Sequence, residues 1–211
     1  MKQFVSRSAV GLAAVALSAV AAFGQAKVTG DAAVLANGIS ALQGAAAPLQ
    51  VTSTSFIASP RDTTPGTLDA KFTADGGNVS PNISWTRGPA GTQSYAMVSE
   101  GIDVVDGHPV PHWVIYNIPS TTTTLPEHVP AAVHLESGAL NGAMQVKLRG
   151  TAGYAGPHAP SGATRWYHFE VFALDTHLNL DPTTADRQAV VNAMKNHVLA
   201  SGEIIANSTG K

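Results

Sequence analysis

Imidazole and carboxylate groups gather in one stretch of this chain, 97–119, MVSEGIDVVDGHPVPHWVIYNIP. An apolar strand candidate over 95–98 gives way to a polar loop carrying Asp103, Asp106 and His108. Pro109 and Pro111 stiffen the exit by fixing φ. The chain then returns as a strand over 112–118, in which alternation places His112, Val114, Tyr116 and Ile118 on one face. A carboxylate on a stiff loop beside an imidazole at a strand start suits ligand binding or acid–base chemistry. The plainer alternative is a capped histidine and two turn-forming aspartates.

A second loop offers complementary groups. The segment 153–167, GYAGPHAPSGATRWY, packs Gly156, Pro157, Pro160 and Gly162 close together, so its backbone can turn tightly and approach a ligand. In the strand that follows, Arg165, Tyr167, Phe169, Val171 and Ala173 share one face and Trp166, His168, Glu170 and Phe172 the other. With the first face inward, Arg165 and Tyr167 stand at the mouth of the core, and His168 and Glu170 face solvent or a covering loop. Backbone N–H groups of a Gly-Pro turn can form an anion nest, and Arg165 adds a permanent charge with a planar fork suited to carboxylate or phosphate. Alternatively, Arg165 pairs with Asp103 and closes the pocket. Asp103, Asp106, His108, His112 and His158 also compose an oxygen- and imidazole-rich set, without the close spacing of a metal motif. An Asp103–His112 acid–base pair with Ser161 as nucleophile is a third option, and no Gly-x-Ser-x-Gly elbow accompanies it.

The elements that must position these groups are mostly short strands. Candidates lie at 51–59, 71–73, 83–86, 94–99, 112–118, 144–148 and 166–174, separated by Gly, Pro, Asn and Asp. Many short strands with frequent turns predict a β-sandwich. The period changes over 183–200, where Val190, Met194, His197 and Val198 fall at helical spacing. Thr183 with Asp186 three residues on resembles an N-terminal capping pair, Gly202 ends the helix, and 203–206 forms a last strand.

The chain has 211 residues and no cysteine, so its fold is held by its core without disulfides. Lys2 and Arg7 ahead of an apolar run over 9–23, then Gly24, Gln25 and Ala26, have the layout of a secretory leader. The reading is a signal peptide over 1–26, a flexible extension over 27–50 and one domain over 51–211, in the periplasm or secreted. Removing the leader takes two basic residues of 12 and none of the 14 acidic ones, leaving a formal charge of −4. That balance excludes a general nucleic-acid or anionic-membrane binder.

The order of several motifs resembles the phosphatidylethanolamine-binding family in its bacterial Raf-kinase-inhibitor-like branch. HWVIYNIP matches the family's His-Trp strand; Asp103 falls on the second aspartate of the preceding Asp-Pro-Asp-Ala-Pro signature, while Gly101 falls on the first and Ile102 and Val105 on its prolines. YAGPHAP and RWY match the second signature, with Tyr167 on its tyrosine, Arg165 in place of its histidine and Trp166 in place of its arginine. KFTADGGNVSPNISW resembles the Thr-Cys-Asp-Gly stretch with Ala74 for cysteine, and AMKNHVLASGEI resembles the C-terminal helix and strand, so the likeness spans 51–206.

This resemblance implies a mainly β, two-sheet antiparallel sandwich with a C-terminal α-helix. It also implies an anion pocket for phosphate-like or acetate-like groups. The expected ligand-binding residues are Asp103, His112, Gly156, Pro157, Arg165 and Tyr167, in a pocket altered from the family pattern. The expected function is binding of a small anionic or phosphate-containing ligand, with no cofactor and no catalytic group. A protein-interaction or inhibitor role with an envelope partner is the alternative, and an Asp/His hydrolase a further one.

Overall fold

The computed structural model describes residues 48–57, 66–105, 108–142 and 152–211, without the side chains of 103–105 and 108. The leader, the extension up to residue 47 and the strand candidate at 144–148 lie outside the described residues. The fold is mainly β with one α-helix. In chain order the strands are β1 (Val51–Thr52), β2 (Phe56–Ile57), β3 (Gly66–Leu68), β4 (Ile83–Trp85), β5 (Ser94–Val105) and β6 (His108–Pro119). Then come β7 (Thr124–Leu125), β8 (Leu140–Asn141), β9 (Thr164–Leu174), the helix α1 (Arg187–Met194) and β10 (Val198–Thr209). A three-stranded sheet runs β1-β4-β7, and a seven-stranded sheet runs β2-β3-β10-β9-β5-β6-β8. The pairings are antiparallel except that β10 runs parallel to β3, which corrects the expectation of a wholly antiparallel arrangement.

The central stretches of the long strands β5, β6 and β9, over 94–101, 113–116 and 167–174, are buried on both faces, which is why their sequences read as nearly continuous apolar runs. One apolar cluster joins the two sheets through Ile83, Trp85 and Leu125 on one side and Tyr95, Met97, Trp113 and Phe169 on the other. A second cluster lies beneath α1, where Val190, Val191 and Met194 meet Ala96, Val98, Val114 and Phe172. Leu49 belongs to the first cluster and its N–H donates to the Ser201 carbonyl, so the folded chain already includes residues assigned from sequence to the extension. No helix among the described residues is long and apolar enough to cross a membrane.

Three local expectations are corrected. The segment expected as a strand at 71–73 is a 3-10 turn, Ala70–Phe72, because Asp69 caps it by accepting from the Lys71 N–H at 3.0 Å and Phe72 turns wholly into the core. The helix is shorter than 183–200. Its N-cap is Asp186, whose carboxylate accepts from the Ala189 N–H at 2.8 Å, while Thr183 is held in the preceding turn by Asp181. It stops at Met194, since Val198 pairs with Leu174, and the helix is followed by a 12-residue strand that contains Gly202. Sheet pairing over the whole of β10 outweighs one more turn of a marginal helix.

Candidate functional site

The site is built where β6 begins, and an irregularity in pairing sets its geometry. Ser99 of β5 pairs with Trp113, but the next residue, Glu100, pairs with Pro111, so His112 and Trp113 together oppose Ser99. Such a bulge re-aims a side chain out of strict alternation. Trp113 enters the core with its ring 5.7 Å from that of Tyr154 and its Nε1–H donating to Asn141 Oδ1 at 2.9 Å. The His112 ring stands edge-on to Tyr167, 5.2 Å between centroids. The expected common face of His112, Val114, Tyr116 and Ile118 is therefore corrected. Val114 and Tyr116 lie beneath α1 and Ile118 lies between the sheets. The second phase change sits at Asn117, whose φ of +53° is tolerable for asparagine and is fixed by its amide, which donates to the Leu178 carbonyl and accepts from the Leu178 N–H.

The Gly-Pro turn is laced to His112 from the other side. The Ala155 N–H donates to the His112 carbonyl at 2.7 Å, and His112 Nδ1 lies 2.9 Å from the Ala155 carbonyl oxygen. A carbonyl oxygen only accepts, so Nδ1 carries the proton and Nε2 of the neutral ring is left as an acceptor. Burial holds the His112 imidazole below its ordinary value, and the Ala155 carbonyl and the Glu100 charge offset this only in part.

Beyond Ala155, the Gly156 N–H donates to Asn78 Oδ1 at 2.7 Å and the Ala74 N–H to the Pro157 carbonyl at 2.9 Å. The Tyr154 hydroxyl donates to the Phe72 carbonyl at 2.6 Å. His158 Nδ1 stands 2.8 Å from both oxygens of Asp75, at the exposed rim. Gly156 has no room for a side chain: a Cβ there meets Ala74 N and Thr73 C at 2.7 Å and the Phe72 oxygen at 2.8 Å. Gly156→Ala should therefore push the two turns apart and destabilise the protein by about 1–3 kcal/mol, the usual range for overpacking. Urea unfolding of the variant measures this; an unchanged midpoint would mean that the turn gives way freely.

Of the six residues expected to bind ligand, His112, Gly156, Pro157 and Tyr167 are brought together. Arg165 is exposed on β9, two residues before the buried Tyr167. Asp103 lies on β5, and its side chain is outside the described residues, as are those of Asp106 and His108. Gly101 pairs directly with Tyr167, so the position that the resemblance gives to a first aspartate offers no side chain beside the phenol. Among the described residues there is no group of three or more His, Asp or Glu side chains arranged to hold a metal ion. Sequence reasoning missed Asn78 and Tyr154 as pocket supports, and took Asp75 as a plain turn residue; the Gly-Gly-Asn run was the only hint for Asn78, which adopts a positive φ there.

The expectation that His168 and Glu170 face solvent or a loop is also corrected. They are 2% and 1% exposed, and His168 stands beside a fully buried Glu100. Arg187, the first residue of α1, forks onto Glu100 with Nε–H and Nη2–H donating at 2.9 and 3.2 Å. Glu100 and His168 are the chain neighbours of Gly101 and Tyr167, so this charged group forms the back of the wall whose front is the pocket.

The comparisons with known proteins follow the same outline. A family model described as phosphatidylethanolamine-binding protein matches residues 58–209. A "UPF0098 protein" of Methanothermobacter thermautotrophicus is 40% identical over 140 residues, 66% of this chain and 89% of that one. Another from Aquifex aeolicus is 36% identical over 135 residues, covering 64% and 76% of the two chains. The crystal structure of Escherichia coli YbcL, described as a member of the mammalian PEBP family, superposes with a TM-score of 0.66 at 29% identity, covering 78% of this chain and all of that one.

Proposed function

The chain belongs to the phosphatidylethanolamine-binding protein family, and on that premise we propose that it is an exported binding protein for a small anion or a phosphate-bearing ligand. The observation that carries this reading is the convergence of His112, Tyr167 and the Gly156–Pro157 turn at one end of β6 and β9. Gly101 opposite Tyr167 supports an anion further, because a carboxylate there would repel one. Export is supported by the charged start and apolar run of 1–26.

Neutral His112 offers a lone pair at Nε2, which does not bind an anion; a protonated ring offers a donor. Anion uptake at His112 is thus coupled to gain of a proton, and that contribution fades as pH rises through its lowered titration range. The Arg165 guanidinium sustains binding at alkaline pH. A hydrogen bond to a charged group is worth about 1.5–3 kcal/mol, so Arg165→Ala should weaken phosphate or acetate binding about ten- to a hundredfold. His112→Ala should do its damage at acidic pH and little at pH 8. Calorimetric titration of wild type and both variants at about pH 5.5 and 8 measures this. Unchanged or tighter binding by Arg165→Ala would make Arg165 a closing group and overturn the anion reading. Turnover of simple esters or phosphoesters would point instead to an acid–base pair of Asp103 and His112.

A further inference from the structure

The wall behind the pocket carries charge at a place where its surroundings are apolar. Along the α1-covered face, Ala96 and Val98 of β5, Phe172 of β9, and Val190 and Met194 of α1 form a hydrophobic cluster. At its pocket end the same face presents Glu100 from β5, His168 and Glu170 from β9, and Glu203 from β10, with Arg187 reaching in from α1. His168 Nδ1 lies 3.2 Å from Glu203, and its Nε2 lies 3.4 Å from Glu100. Both carboxylate oxygens of Glu170 are buried with no hydrogen-bond partner. Three ionised carboxylates against one imidazolium and one guanidinium leave a net charge of −1 in this wall. A proton on Glu170 brings it to zero, and an unpaired buried charge is what the fold cannot sustain cheaply.

We propose that this cluster is a proton-operated latch, in which neutral Glu170 lets α1 close on the strands that carry the pocket and ionised Glu170 lets it open.

The titration of the group supports the direction. Burial pushes the Glu170 carboxyl up to about 8, opposed by the His168 charge and reinforced by Glu203 and Glu100. Burial alone would lower the His168 imidazole, but the Glu100 and Glu203 carboxylates outweigh it and hold the imidazole at about 9. Glu170 keeps a proton that the opened chain releases, so closure is fully favoured below the ordinary carboxylate range and loses ground as pH rises toward 8. His168 adds stability that is full below its ordinary value and is lost as pH rises through about 9. Both act in one sense: alkali opens. Two further charged or titratable groups among the described residues are Asp186, which caps α1 beside Arg187, and His112 across β5 and β6, which feels the Glu100 charge. Arg187 is the natural point of release, because it ties the start of α1 to the charged wall from outside the sheet.

Hydrogen exchange followed by mass spectrometry on the whole protein tests this, at about pH 6 and 9 with intrinsic exchange rates divided out. In the wild type, peptides covering 184–197 should lose about tenfold or more of their protection at the higher pH, while peptides from 94–99 and 169–174 keep theirs. Glu170→Gln, a neutral mimic of the protonated acid, should lose markedly less α1 protection than the wild type between the two pH values, the remaining loss being that of His168. Glu170→Leu, which fills the space with apolar atoms, should do the same and serves if the glutamine variant does not fold. An equal loss in wild type and variants would overturn the latch. So would no loss in the wild type, or a loss shared by α1 and the central strands, which would be a change of global stability.

Discussion

Glu100→Ala should lower the unfolding free energy by about 3–5 kcal/mol, the cost of removing one partner from a buried charged group. Glu100 is wholly inaccessible and takes a two-pronged contact from Arg187, and His168 Nε2 lies 3.4 Å from its Oε1. Its removal leaves two cations facing Glu170 and Glu203 without the anion that fixes their positions. Burial raises the Glu100 carboxyl, but the contacts from His168 and Arg187 outweigh it and hold the group below the usual carboxylate range. Its contribution is therefore present above that range and is lost as pH falls through the lowered value. Urea unfolding at pH 6 and at pH 3 should show a large difference between wild type and variant at the first and a small one at the second. A difference below about 1 kcal/mol at pH 6 would place Glu100 among the weak, solvent-screened pairs.

Trp113→Ala should cost a comparable amount, about 3–5 kcal/mol, through a cavity at the junction of the two sheets. The indole is fully buried, leans on Tyr154 and donates to Asn141. Asn141 is itself wholly buried and its amide donates to the Pro130 and Ala132 carbonyls, so the loss of the indole leaves its oxygen without its donor in an apolar setting. The pocket should suffer as well, because Trp113 and His112 share the bulge opposite Ser99. Trp113→Phe keeps most of the volume and drops only the hydrogen bond, and should recover most of the stability. Thermal unfolding with phosphate titration measures both effects; a Trp113→Ala protein that binds phosphate as the wild type does would separate the bulge from the pocket.

Several features could be read from residue types alone. The β-branched and aromatic runs at 94–99, 112–118 and 166–174 became β5, β6 and β9, because such side chains suit a pleated and buried surface whatever their partners. The Gly-Pro density at 153–160 marked a tight turn, and Gly156 sits where no side chain fits. The order of the two signatures gave the family, which the match over 58–209 bears out.

What the sequence left open depended on partners distant along the chain. Alternation says which residues of a strand share a face, but it fails at a bulge, and the extra residue at His112–Trp113 exists only because β5 and β6 pair out of step. The helical spacing of 183–200 was genuine only to Met194, since a strand partner at Leu174 claimed Val198. Local sequence also cannot say which face of β9 is covered. His168 and Glu170 looked like residues facing solvent or a loop, yet they are buried, and α1 brings Arg187 to a carboxylate 87 residues away beside them. Backbone geometry and side-chain type act within a few residues, whereas burial, and with it the protonation of Glu170 and His168, is decided by what packs on top.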